Sequence, residues 1–176
     1  VVPDADQDST AKGLLASSMG SAGQRCMAAS VAVGVADIDP IINQLIKEAK
    51  VFELGIDMGT IISKAALNRI TSYIDNAEKM GAKVLVDGRN ANPPKAYPDG
   101  YWLGVTILDY VDPEWPSARE EIFGPVLTII RADTLESAIN IENGNQYGNA
   151  AAVFTTSGQV AKTISESASA GMIGVN

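Results

Sequence analysis

Cys26 is the one side chain here with the reactivity of a strong nucleophile, because the chain of 176 residues holds a single cysteine and no histidine. It lies in the run Ser21, Ala22, Gly23, Gln24, Arg25, Cys26, Met27, Ala28, Ala29, Ser30. A thiol attacks a carbonyl as its thiolate, and an ordinary cysteine with a pKa of about 8.5 is only a few per cent ionised at neutral pH, so its surroundings must help. Arg25 supplies adjacent positive charge, Gly23 permits close approach of another backbone, and the small residues that follow leave room for a substrate. Residue type alone also allows the opposite reading, because free cysteine is among the most buried residue types and packs as a small hydrophobe. The missing histidine removes cysteine–histidine hydrolysis, serine–histidine hydrolysis and histidine-ligated zinc from the candidates, and no metal site is expected.

The second cluster is Glu120, Glu121, Ile122, Phe123, Gly124, Pro125, two carboxylates ahead of an aromatic residue and a Gly-Pro turn. One carboxylate could accept hydrogen bonds from sugar hydroxyls while the aromatic edge packs on a flat ring. Equally, both glutamates could be solvated and Phe123 could belong to the core.

Bulk composition limits the partners. A formal net charge of -8 leaves no basic stripe with which to replace phosphate counterions, so nucleic-acid binding is not expected. Hydrophobic residues make up 46% and charged residues 19%, and no apolar run reaches the length of about 18 residues that a membrane span needs. One cysteine cannot form an intramolecular disulfide, which suits a reducing compartment. The chain opens on Val1 and Val2 without a methionine and stops at Asn176 just after a β-type run, so an excised single domain over residues 1–176 is expected.

These candidates need elements to hold them. Asp8 or Ser9 predicts a helix cap, with the helix running to about Gly20. Alternating Val31, Val33 and Val35 predict a strand, which puts Cys26 in a helix-to-strand connection. Asp39-Pro40 opens a second helix that stops near Gly55. A third spans Ser63 to Met80, with Gly81 ending it. Val84–Val86 and Trp102–Leu108 read as strands around an exposed excursion, and Pro125–Ile130 as another. Asp133 and Glu136 form a capping-box pattern ahead of a helix to about Asn143. Ala150–Phe154, a helix from Gly158 to Ser169, and Met172–Val175 complete the series. Short apolar strands alternating with amphipathic helices predict an α/β fold, with a mostly parallel sheet covered by helices on both faces.

Taken together, the two clusters resemble the aldehyde dehydrogenase superfamily. Gly23-Gln24-Arg25-Cys26-Met27 is similar to its catalytic-cysteine segment, and Glu120 to Val126 to its second signature, in the same order and at a fitting separation. Tyr147-Gly148, Val153-Phe154-Thr155 and Gly171 to Asn176 also match its landmarks. Arg25 directly before Cys26, followed by Met27, is similar to the CoA-acylating methylmalonate-semialdehyde (malonate-semialdehyde) branch, with Ala29 a departure where Leu is usual.

The resemblance implies a catalytic domain. In it, Cys26 attacks an aldehyde, Arg25 pairs with the substrate carboxylate, and Glu121 and Phe123 meet the nicotinamide ribose and ring, while Glu120 stays solvated. NAD is the implied cofactor and coenzyme A the acyl acceptor. The nucleotide-binding domain and oligomerisation tail are expected to lie outside residues 1–176, so the chain alone should bind NAD poorly and turn nothing over. A homodimer or homotetramer, in the cytoplasm or the mitochondrial matrix of a eukaryote, is implied for the whole enzyme. An aldehyde dehydrogenase that hydrolyses its thioester and a non-catalytic assembly module remain the alternatives.

Overall fold

The computed structural model describes residues 1–176. In chain order the elements are α1 (Gln7–Met19), β1 (Val31–Val35), α2 (Asp39–Lys50), α3 (Lys64–Met80), β2 (Lys83–Val86), β3 (Thr106–Asp109) and the one-turn α4 (Pro116–Arg119). They are followed by β4 (Val126–Ala132), α5 (Leu135–Asn143), β5 (Ala151–Val153), α6 (Gly158–Ser167) and β6 (Ile173–Val175). Four strands form one sheet in the order β1-β4-β3-β2. β4 runs parallel to both β1 and β3, and β2 closes the far edge antiparallel to β3. β5 and β6 pair in parallel as a separate two-stranded sheet.

A parallel strand covered on both faces must be apolar on both, and Val126, Leu127, Thr128, Ile129 and Ile130 are all buried. Alternate residues go to different layers. Ala32 and its register partner Ile129 join the large core with α1, α2 and α3, whereas Val35 and its partner Ala132 pack with Ala138 of α5. Helices therefore cover both faces, as the alternation predicts. Ile41, Ile42, Leu45 and Ala49 form the buried stripe of α2, and Ile70, Ile74 and Ala77 that of α3. Each large aliphatic buried this way contributes about 1.5–3 kcal/mol relative to exposure.

Several boundaries differ from the sequence reading, each for a local reason. The cap of α1 is Asp6, whose carboxylate accepts from the Ser9 N–H at 2.9 Å, while Asp8 lies in the first turn and pairs with Lys12 at 2.8 Å. The capping box of α5 is built by Thr134 and Ser137, not by Asp133 and Glu136, because the hydroxyls reach the N–H groups reciprocally. Hydrogen-bonded strand begins only at Thr106, although Leu103 and Val105 are buried, because Gly104 N–H is taken by the carbonyl of Gly88 at 2.9 Å. α2 ends at Lys50 rather than near Gly55, and α6 ends at Ser167. α3 begins at Lys64 with Ser63 as its cap, one residue later than the expected start, and Gly81 ends it as predicted.

Candidate active site

Register explains how two segments far apart in sequence meet. Val31 of β1 pairs with Thr128 of β4 in parallel, and Cys26 and Phe123 each lie five residues upstream of that pair. Both connections therefore enter the sheet side by side at the same end. Cys26 is exposed, and its loop lines a cleft of about 790 Å³ together with Arg25, Glu121, Phe123 and Asn149. All four residues singled out from sequence thus border one space, and Cys26 is not packed into the core of this chain.

Glycine backbones fasten the two motifs together. Gly23 sits at φ +67°, and a Cβ there would lie 2.0 Å from the Gly124 carbonyl oxygen. Gly124 in turn is backed by Ile70, whose side chain would stand 2.7 Å from a Cβ at that position. Two left-handed residues, Ser21 at φ 55° and Ala22 at φ 54°, precede Gly23 and turn the chain sharply out of α1. Phe123 is also left-handed, at φ 55°, a conformation that costs a bulky residue about 1–3 kcal/mol and has to be held by its neighbours. The fully buried Ile122 and the close-packed Gly124 on either side of it hold it here.

Amides fix the cysteine loop. Gln24 Oε1 accepts from Ile62 N–H at 2.9 Å while its Nε2 donates to the Thr60 carbonyl at 3.1 Å, so the side chain pairs with that segment as a strand would. Ala29 N–H donates to Ser17 Oγ at 3.2 Å, and the Ser30 carbonyl accepts from Thr128 N–H at 2.9 Å. Asn149 Nδ2 donates to the Cys26 carbonyl at 3.1 Å. Neither Gln24 nor Asn149 stands out in sequence as a support. The signal available was only that each is an amide flanking a landmark glycine.

Arg25 has a partner that sequence does not suggest. Its Nη2 donates to the Ala16 and Ser17 carbonyls at 3.1 and 2.8 Å, at the end of α1, where cations are favoured by the helix dipole. No bond inside the chain uses Nη1 or Nε, so their N–H groups remain free to donate. Glu121 is exposed in the cleft. Glu120 is exposed as well, as expected, and it accepts a hydrogen bond from Tyr73 Oη of α3. That bond, with burial and the carboxylate charge added, pushes the Tyr73 phenol above its ordinary pKa.

The donor set fits one end of a dinucleotide. Glu121 can accept from ribose hydroxyls and Phe123 offers a ring edge, but no glycine-rich phosphate cradle adjoins them. No group of three or more His, Cys, Asp or Glu side chains could hold a metal ion.

An α/β sheet thus places an exposed cysteine and an acidic-aromatic loop on one cleft. The pattern of the aldehyde dehydrogenase family matches residues 1–176, and the chain belongs to that family. It is 44% identical over 182 residues to a probable methylmalonate-semialdehyde/malonate-semialdehyde dehydrogenase (acylating, mitochondrial) of Drosophila melanogaster, covering 100% of this chain and 35% of that protein. It is 39% identical to the malonate-semialdehyde dehydrogenase of Pseudomonas aeruginosa, covering 100% of this chain and 37% of the relative. A crystal structure of a putative methylmalonate-semialdehyde dehydrogenase from Sinorhizobium meliloti in complex with NAD superposes with a TM-score of 0.94 at 37% identity, over 99% of this chain and 37% of that one. The chain therefore spans little more than a third of these relatives' length.

Proposed function

We propose that this chain is the thiol-bearing catalytic portion of an NAD-dependent, CoA-acylating methylmalonate- or malonate-semialdehyde dehydrogenase. The observation that carries the reading is the exposed Cys26 sulfur on the same cleft as Glu121 and Phe123. The names and similarity of the relatives from Drosophila and Pseudomonas support the substrate class.

In this reading the Cys26 thiolate adds to the aldehyde carbon, and the carbonyl π pair moves onto oxygen. The Cys26 N–H, which makes no bond inside the chain, is free to stabilise that oxyanion. Arg25 offers the free N–H groups of Nη1 and Nε to the substrate carboxylate as charge-assisted donors. Glu121 and Phe123 hold the ribose and ring of the cofactor. NAD, when bound, supplies the acceptor for the hydride that leaves the substrate carbon, and so allows the carbonyl to re-form as a Cys26 thioester. Transfer of the acyl group to the thiol of coenzyme A, with loss of carbon dioxide from the substrate carboxylate, then frees Cys26. The phosphates and adenosine are assigned to parts of the protein outside residues 1–176.

The test uses the full-length protein that carries this chain, with malonate semialdehyde, NAD and CoA. Formation of NADH and acetyl-CoA, both lost in Cys26→Ser, is the expected result. Production of a free acid at an equal rate without CoA would overturn the acylating assignment. Activity retained in Cys26→Ser would overturn the nucleophile.

A further inference from the structure

The geometry points to Asn149 as the positioning residue of the nucleophile, acting on the Cys26–Met27 peptide rather than on substrate. Ala28 N–H donates to the Arg25 carbonyl at 3.1 Å, so residues 25–28 form a β-turn with Cys26 and Met27 at its two central positions. The peptide between those positions is the one that can rotate about half a turn without breaking the closing hydrogen bond, which is the difference between turn types I and II. A type II turn needs φ above zero at its third residue, and Met27 is not among the positive-φ residues, so the turn is in the other orientation. Asn149 Nδ2 donates to the carbonyl of that same peptide at 3.1 Å.

No other hydrogen bond restrains it. Gln24 ties the loop two residues before Cys26, and Ala29 and Ser30 tie it three and four residues after. Between those anchors the Cys26 and Met27 N–H groups donate to nothing in the chain, and the Cys26 carbonyl accepts only from Asn149. Rotation of the free peptide would change ψ at Cys26 and exchange the positions of the Cys26 carbonyl and the Met27 N–H, and so change which rotamers the Cys26 side chain can adopt toward the cleft. Asn149 also lies two residues before the start of β5, and its neighbour Gly148 accepts from Gly171 N–H at 2.8 Å, which ties the donor to the β5–β6 unit. The cysteine turn is thereby referenced to the second sheet as well as the first.

This inference rests on the reading of Cys26 as nucleophile, and the experiment separates the two. Asn149→Leu keeps the shape and removes the donor, and Asn149→Asp keeps the planar group without the N–H. In this chain, thermal midpoint and the rate of Cys26 alkylation by neutral iodoacetamide are measured. In the full-length protein, kcat and KM for aldehyde oxidation are measured beside Cys26→Ser. One hydrogen bond biasing a peptide flip corresponds to about a three- to tenfold fall in both the alkylation rate and kcat, with KM for aldehyde changed less than about twofold. Loss of activity in Cys26→Ser, with both Asn149 variants matching the parent in alkylation and kcat, would overturn the role of Asn149 alone. Activity surviving in Cys26→Ser would overturn the nucleophile instead. A KM increase with kcat unchanged would also defeat the proposal, since it would mark a substrate contact rather than positioning.

Discussion

Replacing Gly23 by alanine tests whether the two motifs are held together by backbone contact. The new Cβ would lie 2.0 Å from the Gly124 oxygen, 2.5 Å from its carbonyl carbon and 3.0 Å from the Ser18 oxygen. Non-bonded heavy atoms rest at roughly 3.5 Å, so one backbone must retreat by more than about 1 Å. Neither can do so freely: Ile70 blocks Gly124 from behind, and Gln24 ties the other side to Thr60 and Ile62. The left-handed φ of +67° adds about 1–2 kcal/mol for any residue with a Cβ, and overpacking adds about 1–3 kcal/mol. The expected loss is therefore about 2–5 kcal/mol, a large share of the 5–15 kcal/mol typical of a native protein. With a urea slope of about 2 kcal/mol per molar, the midpoint should fall by about 1–2.5 M. Gly59 has nothing within 4 Å of its Cβ position and no positive φ, so Gly59→Ala should stay within about 0.5 kcal/mol of the parent. A Gly23→Ala midpoint indistinguishable from that of Gly59→Ala would refute the reasoning.

Other perturbations probe the supports separately. Asp109, with its side chain 3% exposed, accepts from Arg131 Nε and Nη2 at 2.9 and 2.8 Å, and Asp109→Asn should cost about 3 kcal/mol by leaving the guanidinium with the exposed Asp39 alone. Urea titration reads that loss, and a change below about 1 kcal/mol would contradict it. Hydrogen bonds from the Arg89 guanidinium hold the Asp87 carboxyl below its ordinary pKa, so this pair stabilises the fold above about pH 4 and loses its effect as pH falls through the carboxylate range. Arg89→Gln should flatten part of the midpoint's decline between about pH 6 and pH 3, and an unchanged slope would remove the assignment. Tyr73 carries the opposite sign: its phenol is pushed up by Glu120, so its contribution is present at neutral pH and fades only as pH rises through the raised value. In Tyr73→Phe, stability above about pH 9 should depend less on pH than in the parent, measured by the same titration.

Much of the frame was legible because it depends on periodicity. The stripes of α2 and α3, the Gly81 stop and the buried run of β4 are each written in a few neighbouring residues. Caps were misplaced where two candidates stood close together: Asp6 and Asp8 are equally able to accept, and only the path of the incoming chain decides between them. Strand order was not legible at all. Nothing local in Val31–Val35 says that its neighbour is Val126–Ala132, yet that pairing is what brings Cys26 beside Phe123. The acidic pair shows the same limit, since Glu120 differs from Glu121 only in facing Tyr73 of α3.

The position of the site on the sheet has a physical consequence. Ligands of open α/β sheets usually sit beyond the carboxyl ends of the strands. Here the cysteine and the acidic-aromatic loop both precede their strands, at the amino ends of β1 and β4. Chain entering a strand is not preorganised by a helix N-terminus, so its geometry must come from elsewhere. In this fold it comes from backbone contact at Gly23 and Gly124 and from two amide side chains, Gln24 and Asn149. The first kind of support is made of buried backbone and cannot be removed without unsettling the core. The second is exposed and separable, which is why Asn149 variants should alter the rate at Cys26 while the Gly23 variant alters the stability of the whole chain.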